Sequence, residues 1–589
     1  MALTDKFTYA TLNAGNLKKL NDMADKVYGT GGGSSGGGNG GQLLALSGDS
    51  ILNSYNTLRN DRNNSDQADA AWSASGIAVW ANALMGWPFE IIEPTRIGGG
   101  KVQQIIHESK YYVEEQQPDW IFTLAGANDI NPTMIYEEMV NDLKTLIDKH
   151  RRTTKNLVVI SILPQGSDED PSYIMDQSTA DVLQETNAWL KAYCADEGIY
   201  YADLYAEFIH PDTNTKCKSH YVRDGVHPDA AGAYVGGAII AELLKDAGLV
   251  PKHFGQFPSY DSNPVKPGFI GQRNYLIPNG DTGNPANPNN DGTNGQLKDA
   301  SISSATGVPT GWKFDKESGT GSCQVTKVPA DADDIDKTPW VQMTLSGGTT
   351  GITEYTAYQS SGQICFNQFD YFKVQAEAEM TILTPGFTPS ATYLPFQVRG
   401  FAGGSTTMSK ISTGFYESGQ TIKDFPFNEK YPVTGAKCSF LSPAIMINDS
   451  SSFSLDLHFA VGPGEIGVFK YRHAAAYRVE APVARKLCKG TITIDMNDTD
   501  QNGYYALGTE LAEDLYEAIT VTGNPDAKVL RLPHYISGIY TITNKTGFDL
   551  NIETATQTDR GEVPVLLPDN KTQMIQMNGV EAMAIAPAV

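Results

Sequence analysis

The sequence predicts a multidomain protein that begins with an α/β domain on a parallel sheet and continues with all-β domains. Its 589 residues suffice for several domains. Between residues 43 and 250, short apolar runs alternate with helical stretches, the pattern of a parallel sheet covered on both faces. Beyond residue 295, β-branched and aromatic runs are separated by turn residues, and no long helical period is found.

Five apolar runs of the first domain have the length of buried parallel strands. They are residues 43–47, 89–92, 120–126, 156–163 and 199–204. Helices are predicted between or after them, over residues 70–85, 101–116, 134–150, 178–197 and 229–247. In the second of these helices the apolar residues Val102, Ile105, Ile106 and Val113 share one face, which indicates packing on the sheet.

Composition shifts divide the chain into five segments. Residues 1–42 form a leader with a Gly/Ser-rich linker, 43–250 the α/β domain, and 251–295 a second linker rich in Gly, Pro and Asn. Residues 296–487 predict an antiparallel β-sandwich, and residues 488–589 a small C-terminal β domain. No sequence repeat with a period of about 20–50 residues is evident.

Charge and composition exclude several classes of partner. The net charge of −24 and the pI of about 4.8 argue against nucleic acid and against docking on an anionic membrane. No apolar run reaches the ~18 residues of a membrane span, and the N-terminus lacks the pattern of a secretory signal. The six cysteines form no C-x-x-C pair, so we expect reduced thiols and folding in a reducing cytoplasm.

Two segments carry the residues of a nucleophilic site. Ser50 follows the first predicted strand in LALSGDSI, at the rim where α/β folds place their sites. Asp224 and His227 lie three residues apart in YVRDGVHPDAAGAY, so that both can approach one serine, with the histidine as its base. Taken alone, each segment is also an ordinary turn. Ser47 is not a candidate, because it lies inside the strand end.

Two further loops supply hydrogen-bond donors. Asn128, in GAND after the third strand, has an amide suited to an oxyanion, although an Asx turn is the alternative reading. In the loop IGGG, a glycine amide can approach a substrate oxygen closely.

In chain order, the serine, glycine, asparagine and Asp/His segments resemble the successive blocks of the SGNH (GDSL-type) hydrolase family over residues 43–249. The resemblance implies a flavodoxin-like α/β/α esterase with Ser50 as nucleophile, His227 as base and Asp224 as its orienter. The oxyanion hole would comprise the amides of Ser50 and Gly99 and the side chain of Asn128, and no metal or cofactor would be needed. The second block departs from the family's usual N-x-G-x-x-G, and Gly99 rather than Gly98 keeps the family's distance to the helix residues Ile105 and Ile106. Arg96 in this block is a candidate substrate contact, with a surface arginine without a role as the alternative, and Asp49 is a second candidate contact.

The segment 274–345 resembles the opening of jelly-roll carbohydrate-binding modules. Trp312 and Trp340 are then candidates to stack on sugars, although core packing is the favoured reading for either residue alone. Elsewhere, the acidic run 331–336 predicts a solvated loop. Residues 498–503 begin like an EF-hand loop, but Thr509 stands at position twelve, so a hairpin turn is favoured.

The C-terminal segment 540–583 is similar to β modules of bacteriophage fibre and spike proteins, and the leader 7–25 to a virion attachment segment. Together these resemblances imply a homotrimeric virion protein, assembled in the host cytoplasm, that removes O-acetyl groups from a bacterial surface polysaccharide. The leader would contact other virion proteins. The alternatives are a non-catalytic glycan-binding adhesin or fibre protein on the same scaffold, and a bacterial esterase without a virion role.

Overall fold

The fold is described from a computed structural model of the chain. The structure describes residues 42–53, 76–92, 98–114, 116–168, 170–219, 221–222, 224–251, 265–266, 269–271, 296–304, 308, 312–332, 334, 338–361, 371–382, 396–402, 409–412, 438–442, 445–446, 453–479, 488–495, 505–506, 516–523, 529–532, 537–554, 564–578 and 582–584. The leader, Arg96 and the EF-hand-like segment 498–503 lie outside these residues.

The α/β domain has a five-stranded parallel sheet in the order β2-β1-β3-β4-β5. The strands are β1 (Gln42–Gly48), β2 (Phe89–Ile91), β3 (Trp120–Leu124), β4 (Asn156–Ile160) and β5 (Tyr200–Ala202). The predicted parallel sheet is confirmed, and the strand order reverses direction at β1. In such sheets, the loops that leave the carboxyl ends of the strands around this point form the site crevice.

The helices follow the strands as the apolar period predicts. They are α1 (Ser50–Asn53), α2 (Ile77–Leu84), α3 (Val102–Ser109), α4 (Tyr136–Thr153), α5 (Gln177–Glu197), α6 (Leu204–Phe208) and α7 (Ala230–Asp246). A π-helical turn, Lys110–Glu114, extends α3. Asp176 caps α5 by accepting a hydrogen bond from Thr179 N, and left-handed Gly198 ends it. None of the helices in the described ranges is long and apolar enough to cross a membrane.

Two sheets follow the α/β domain, and their side chains pack against each other. Aromatic pairs cross between the sheets, with ring centroids 5.5 Å apart for Phe459 and Phe469 and 5.0 Å apart for Phe396 and Phe440. Buried residues such as Tyr355 and Leu457 fill the space between them. This arrangement is a β-sandwich, as the sequence predicts.

One sheet of the sandwich has the order β16-β15-β19-β13-β10-β8, and the main path of the other is β17-β14-β20-β12-β11-β9. The strands are β6 (Val265–Lys266), β7 (Phe269–Gly271), β8 (Gln296–Leu297), β9 (Ile302–Ser304), β10 (Lys313–Ser318), β11 (Ser322–Val328), β12 (Trp340–Ser346), β13 (Thr353–Ser361), β14 (Tyr371–Ile382), β15 (Phe396–Ala402), β16 (Ser409–Ser412), β17 (Cys438–Leu441), β18 (Ile445–Met446), β19 (Phe453–Val461) and β20 (Ile466–Val479). β7 pairs with β20, so this part of the predicted linker 251–295 belongs to the sandwich.

A buried ion cluster corrects the prediction for the acidic run 331–336. Asp334 is buried and accepts a 3.0 Å hydrogen bond from Nη1 of Arg472, whose Nε donates to Glu377 over 2.7 Å. The guanidinium also lies 4.2 Å from the ring centroid of Trp340. Within a fully buried site, each charge requires its partners, so this part of the run is structural rather than solvated.

The C-terminal strands also form two sheets, of orders β21-β23-β25-β28-β29 and β22-β24-β26-β27. The strands are β21 (Cys488–Asp495), β22 (Tyr505–Ala506), β23 (Tyr516–Thr522), β24 (Val529–Leu532), β25 (Ser537–Asn544), β26 (Leu550–Thr554), β27 (Val565–Leu567), β28 (Thr572–Asn578) and β29 (Ala582–Ala584). From β21 to β26, consecutive strands lie in alternate sheets, and each strand pairs in parallel with the next strand of its own sheet. This is the pattern of successive coils of a solenoid.

This coiling is a structural repeat that the sequence does not reveal. Thr491 pairs with Ala518, and Ala518 pairs with Thr541, positions 27 and 23 residues apart in the chain. The coils require only apolar residues at their inward positions, such as Ile519 and Ile542, and no fixed motif. The remaining strands, β27 to β29, pair antiparallel.

The α/β domain contacts the sandwich directly. Trp87, in the turn after α2, donates from its indole nitrogen to the carbonyl of Ser439 on β17 over 2.6 Å. Tyr234 of α7 and Cys438 of β17 belong to one buried hydrophobic cluster, in which Tyr234 is 5% exposed. Cys194, Cys217, Cys323 and Cys438 are buried free thiols.

Candidate active site

Ser50 begins the helical turn that follows β1. Gly48 ends the strand so close to β3 that an added Cβ would lie 2.1 Å from the carbonyl oxygen of Leu124, so only glycine allows this approach. Asp49 then caps the turn, with its Oδ1 accepting a 3.0 Å hydrogen bond from Ile51 N. Ser50 is thereby held beyond the carboxyl edge of the sheet. Ser47 is fully buried within β1, as predicted.

The structure brings Ser50, His227 and Asp224 into one hydrogen-bonded chain. Ser50 Oγ lies 2.7 Å from His227 Nε2, and His227 Nδ1 lies 2.7 Å from Asp224 Oδ2. With the ring proton on Nδ1, where the carboxylate accepts it, the lone pair of Nε2 faces Ser50 Oγ and can accept the serine proton. This is the relation between nucleophile, base and orienting group that a serine hydrolase requires.

The loop that carries Asp224 and His227 is shaped by the same carboxylate. Asp224 Oδ1 accepts hydrogen bonds from the amides of His227, over 2.8 Å, and Val226, over 3.2 Å. Partial burial acts to raise the pKa of Asp224, but the hydrogen bonds and charge of His227 outweigh it and lower the pKa to about 2. The carboxyl group is therefore ionised wherever the histidine is to act as a base. Asp229 caps α7 directly after this loop.

Asn128 lies at the carboxyl end of β3, in a 3₁₀ turn that begins after left-handed Gly126. The φ of +113° at Gly126 is one that only glycine adopts without strain, so this conformation requires glycine. The Asn128 Nδ2 donates to the carbonyl of Gly100 over 3.1 Å, which joins this turn to the loop that contains Gly99. Gly99 is exposed and has a φ of +72°.

Asp49 is fully buried, which corrects its assignment as a substrate contact. Burial raises the pKa of its carboxyl group to about 7, while hydrogen bonding from the Ile51 and Ala127 amides and the charge of His227 act in the opposite direction. Asp49 thus lies beneath the site and supports the Ser50 turn. Asp129 also has a structural role, because its Oδ2 accepts a 3.1 Å hydrogen bond from Val102 N and so caps the start of α3.

Sequence reasoning missed the loop after β4, which holds two parts of the site together. Gln165 donates from Nε2 to the carbonyl of Ala127 over 2.7 Å, beside Asn128. The next residue, Gly166, donates from its amide to the carbonyl of Gly225 over 2.6 Å, inside the loop that carries Asp224 and His227. The signal was available, since Pro-Gln-Gly directly follows a predicted strand at the same edge of the sheet.

The tryptophans proposed as sugar contacts are core residues. Trp312 and Trp340 are 0% and 1% exposed, so neither ring has a face available to a ligand. Trp312 packs beside Tyr471, and Trp340 lies under the Arg472 guanidinium. The other candidate substrate contact, Arg96, lies outside the described residues.

Together, the parallel α/β fold and the Ser–His–Asp chain at its carboxyl edge define a domain of the serine hydrolase class. Residues 46–235 match the model of the GDSL-like Lipase/Acylhydrolase family, so the α/β unit is a GDSL-type domain. The members of this family are esterases and acylhydrolases. The match includes the end of β1 with Ser50, the Asn128 turn and the Asp224–His227 loop.

Solved structures similar to the chain cover about a third of it. The lipase/acylhydrolase from Enterococcus faecalis is 20% identical with a TM-score of 0.28, covering 36% of this chain and 100% of its own. A GDSL-like lipase from Bacteroides thetaiotaomicron is 17% identical with a TM-score of 0.25, covering 35% and 87%. An acetyl xylan esterase is 17% identical with a TM-score of 0.27, covering 35% and 98%. No curated protein matches the chain.

Proposed function

We propose that this protein is a serine esterase that removes O-acetyl groups from a bacterial surface polysaccharide as part of a phage virion. The observation that carries the esterase activity is the chain of two 2.7 Å hydrogen bonds from Ser50 through His227 to Asp224. A domain that only bound glycan would not need the serine, its base and the orienting carboxylate in this relation.

In the proposed reaction, Ser50 Oγ attacks the ester carbonyl carbon while His227 Nε2 takes its proton. The C–O bond to the sugar then breaks, and His227 returns the proton to the leaving sugar oxygen. Water, deprotonated by the same Nε2, attacks the acetyl-serine ester, and the bond between the acyl carbon and Ser50 Oγ breaks. Oγ takes the proton back from His227, and acetic acid is released and ionises to acetate. Asp224 stays ionised throughout and stabilises the imidazolium that forms in each half of the reaction.

The developing oxyanion requires donors beside Ser50. An asparagine amide has two N–H groups, and one of those on Asn128 is engaged by the Gly100 carbonyl. The other N–H remains for the substrate, and the Ser50 and Gly99 amides complete the proposed set. Holding the Asn128 side chain on the Gly100 carbonyl orients it before the substrate arrives, which is how such donors become effective.

The choice of substrate and context rests on the rest of the chain. The net charge of −24 disfavours nucleic acid and anionic membrane as targets. The β-sandwich and the solenoid-like coils are appended to the hydrolase domain, and the resemblances of the leader and the tail favour a homotrimeric virion protein. With Trp312 and Trp340 in the core, the glycan would be bound by the loops around Ser50.

The first test is hydrolysis of p-nitrophenyl acetate by the full chain beside Ser50→Ala. We expect wild-type turnover to fall about 10⁴–10⁶-fold in the variant. Equal rates in both proteins would contradict the esterase. Acetate release from acetylated and chemically deacetylated capsule preparations then tests the substrate class.

Light scattering of the purified chain tests for the trimer, and electron microscopy of particles with a specific antibody tests for the virion. An active esterase that is monomeric and absent from particles would refute the virion role while leaving the esterase intact. Glycan binding by a catalytically silent chain would support the adhesin instead.

A further inference from the structure

A second cluster of reactive side chains lies on the β-sandwich, outside the GDSL-type domain. It consists of Glu317 at the end of β10, Glu354 on β13 and His458 on β19. These strands are neighbours in the six-stranded sheet, in the order β19-β13-β10. One imidazole nitrogen and one carboxylate oxygen from each glutamate all lie within 4.8 Å of one another.

The strand pairing places all three side chains on the outer face of this sheet. In β19, Leu457 and Phe459 are fully buried in the sandwich core, so His458 between them points to the opposite face. Glu354 likewise precedes the core residue Tyr355 on β13. His458 is nevertheless only 5% exposed, an unusual burial for a histidine on an outer face.

Glu317 reaches the cluster through a β-bulge. Lys316 pairs with Tyr355 and Ser318 pairs with Glu354, so Glu317 is the extra residue on β10. Bulges change the direction of a side chain at the edge of a site. Ser318 also donates from Oγ to Glu354 Oε2 over 2.8 Å, and the other carboxylate oxygen, Oε1, faces His458.

The distances match ligand atoms around a shared cation better than hydrogen bonds. His458 Nε2 lies 3.5 Å from Glu317 Oε2 and 3.6 Å from Glu354 Oε1, beyond the ~2.7–3.2 Å of good N–H···O bonds. In a tetrahedral zinc site with bonds of about 2.0–2.2 Å, adjacent ligand atoms are about 3.3–3.6 Å apart. Both histidine–carboxylate separations agree with that geometry.

From this geometry we propose that Glu317, Glu354 and His458 bind one divalent transition-metal ion, with Zn²⁺ preferred. Imidazole nitrogen with carboxylate oxygens suits zinc and disfavours calcium, which takes oxygen ligands. The two glutamate side chains are partly exposed, so water can complete the fourth position. The bound ion would join β10, β13 and β19 across the outer face. The site is independent of the esterase proposal, because it shares no residue with it.

The test is calorimetric titration of EDTA-treated, dialysed full-length protein with ZnCl₂, with metal content measured after gel filtration. We compare wild type with Glu317→Gln, Glu354→Gln and His107→Gln. The control removes an exposed histidine that lies 3.2 Å from Glu108 in the α/β domain. Glutamine keeps the size of each glutamate, and in Glu354→Gln the amide oxygen can still accept from Ser318, so both cluster variants should fold. Circular dichroism of the metal-free proteins checks this.

We expect a saturable zinc site in wild type and in the His107 variant, weakened about 100-fold or more in each glutamate variant. Loss of Ser318 Oγ, in Ser318→Ala, should weaken it by about tenfold. Zinc should raise the melting temperature of wild type but not of Glu354→Gln. The proposal is overturned if wild type takes up no zinc, or if the glutamate variants bind it as tightly as wild type. The first outcome would identify the cluster as an ion pair of His458 with two carboxylates.

Discussion

The substitution Asp224→Asn separates two contributions of this carboxylate to the reaction. The carboxylate holds the proton of His227 on Nδ1, and its charge stabilises the imidazolium. In the wild type, Oδ1 accepts from the two backbone amides of its own loop, and Oδ2 accepts from His227 Nδ1. An asparagine can keep the first two bonds with its oxygen. Its NH₂ group would then face Nδ1 over the same 2.7 Å, and two donors cannot share that distance.

The imidazole must respond by moving its proton to Nε2. That nitrogen lies 2.7 Å from Ser50 Oγ and, once protonated, can no longer accept the serine proton. A wrong tautomer of this kind lowers turnover by about 10⁴-fold, or about 5.4 kcal/mol of transition-state stabilisation. Loss of the negative charge alone predicts a much smaller fall in turnover. The Asp224 side chain is 47% exposed, so solvent limits the interaction of its charge with the imidazolium to ~1 kcal/mol.

The assay is kcat/KM for p-nitrophenyl acetate, with melting temperatures measured in parallel. The matched control is Asp212→Asn, because Asp212 is exposed in a neighbouring loop and outside the chain of hydrogen bonds. We expect a loss of about 10⁴-fold in Asp224→Asn with a melting temperature close to wild type. A loss of less than about tenfold in a folded variant would refute the tautomer argument and leave only the charge.

Two other substitutions test the support of the site. Asn128→Ala should lower kcat by about 10²–10³-fold with little change in KM, since the donor acts on the oxyanion rather than on the bound ester; a rise in KM alone would contradict this. Asp49→Asn tests the buried carboxyl group, whose pKa is raised to about 7. Its contribution to the free energy of unfolding is complete below pH ~4 and is lost as pH rises through 7. The stability of the variant relative to wild type should therefore rise between pH ~4 and 7 and level off above pH 7 in thermal unfolding, and a difference that does not change with pH would contradict this.

Much of the α/β domain could be predicted because its signals are local. Parallel strands buried on both faces are short apolar runs, and all five predicted runs contain the observed strands or overlap them. The site followed from the same pattern, since Ser50 and Asn128 each come directly after a strand at the edge where α/β folds bind ligands. That Ser50 and Asn128 lie at one edge of the sheet could thus be predicted without knowing where their side chains point.

The errors arose where a residue's role depends on a partner distant in the chain. Trp340 looks like a sugar platform until Arg472 is placed against its ring, and Asp334 looks solvated until the same guanidinium binds it. No local period announces such a contact, because 132 and 138 residues separate the partners. The coils of the C-terminal domain were missed for a related reason, as their pairing joins residues more than twenty positions apart without a shared motif.

The loop after β4 explains why the separate sequence blocks act as one site. Ser50 and Asn128 follow neighbouring strands, but the Asp224–His227 loop follows β5 and α6, farther along the chain. Gln165 donates to the Asn128 turn and Gly166 donates to Gly225, so one short segment is hydrogen-bonded to both loops. The oxyanion donor and the base therefore share one support, and their relative position depends on backbone and amide contacts rather than on the reacting groups. Positioning of this kind is what allows hydrogen bonds to act on a transition state without reorganisation when the substrate arrives.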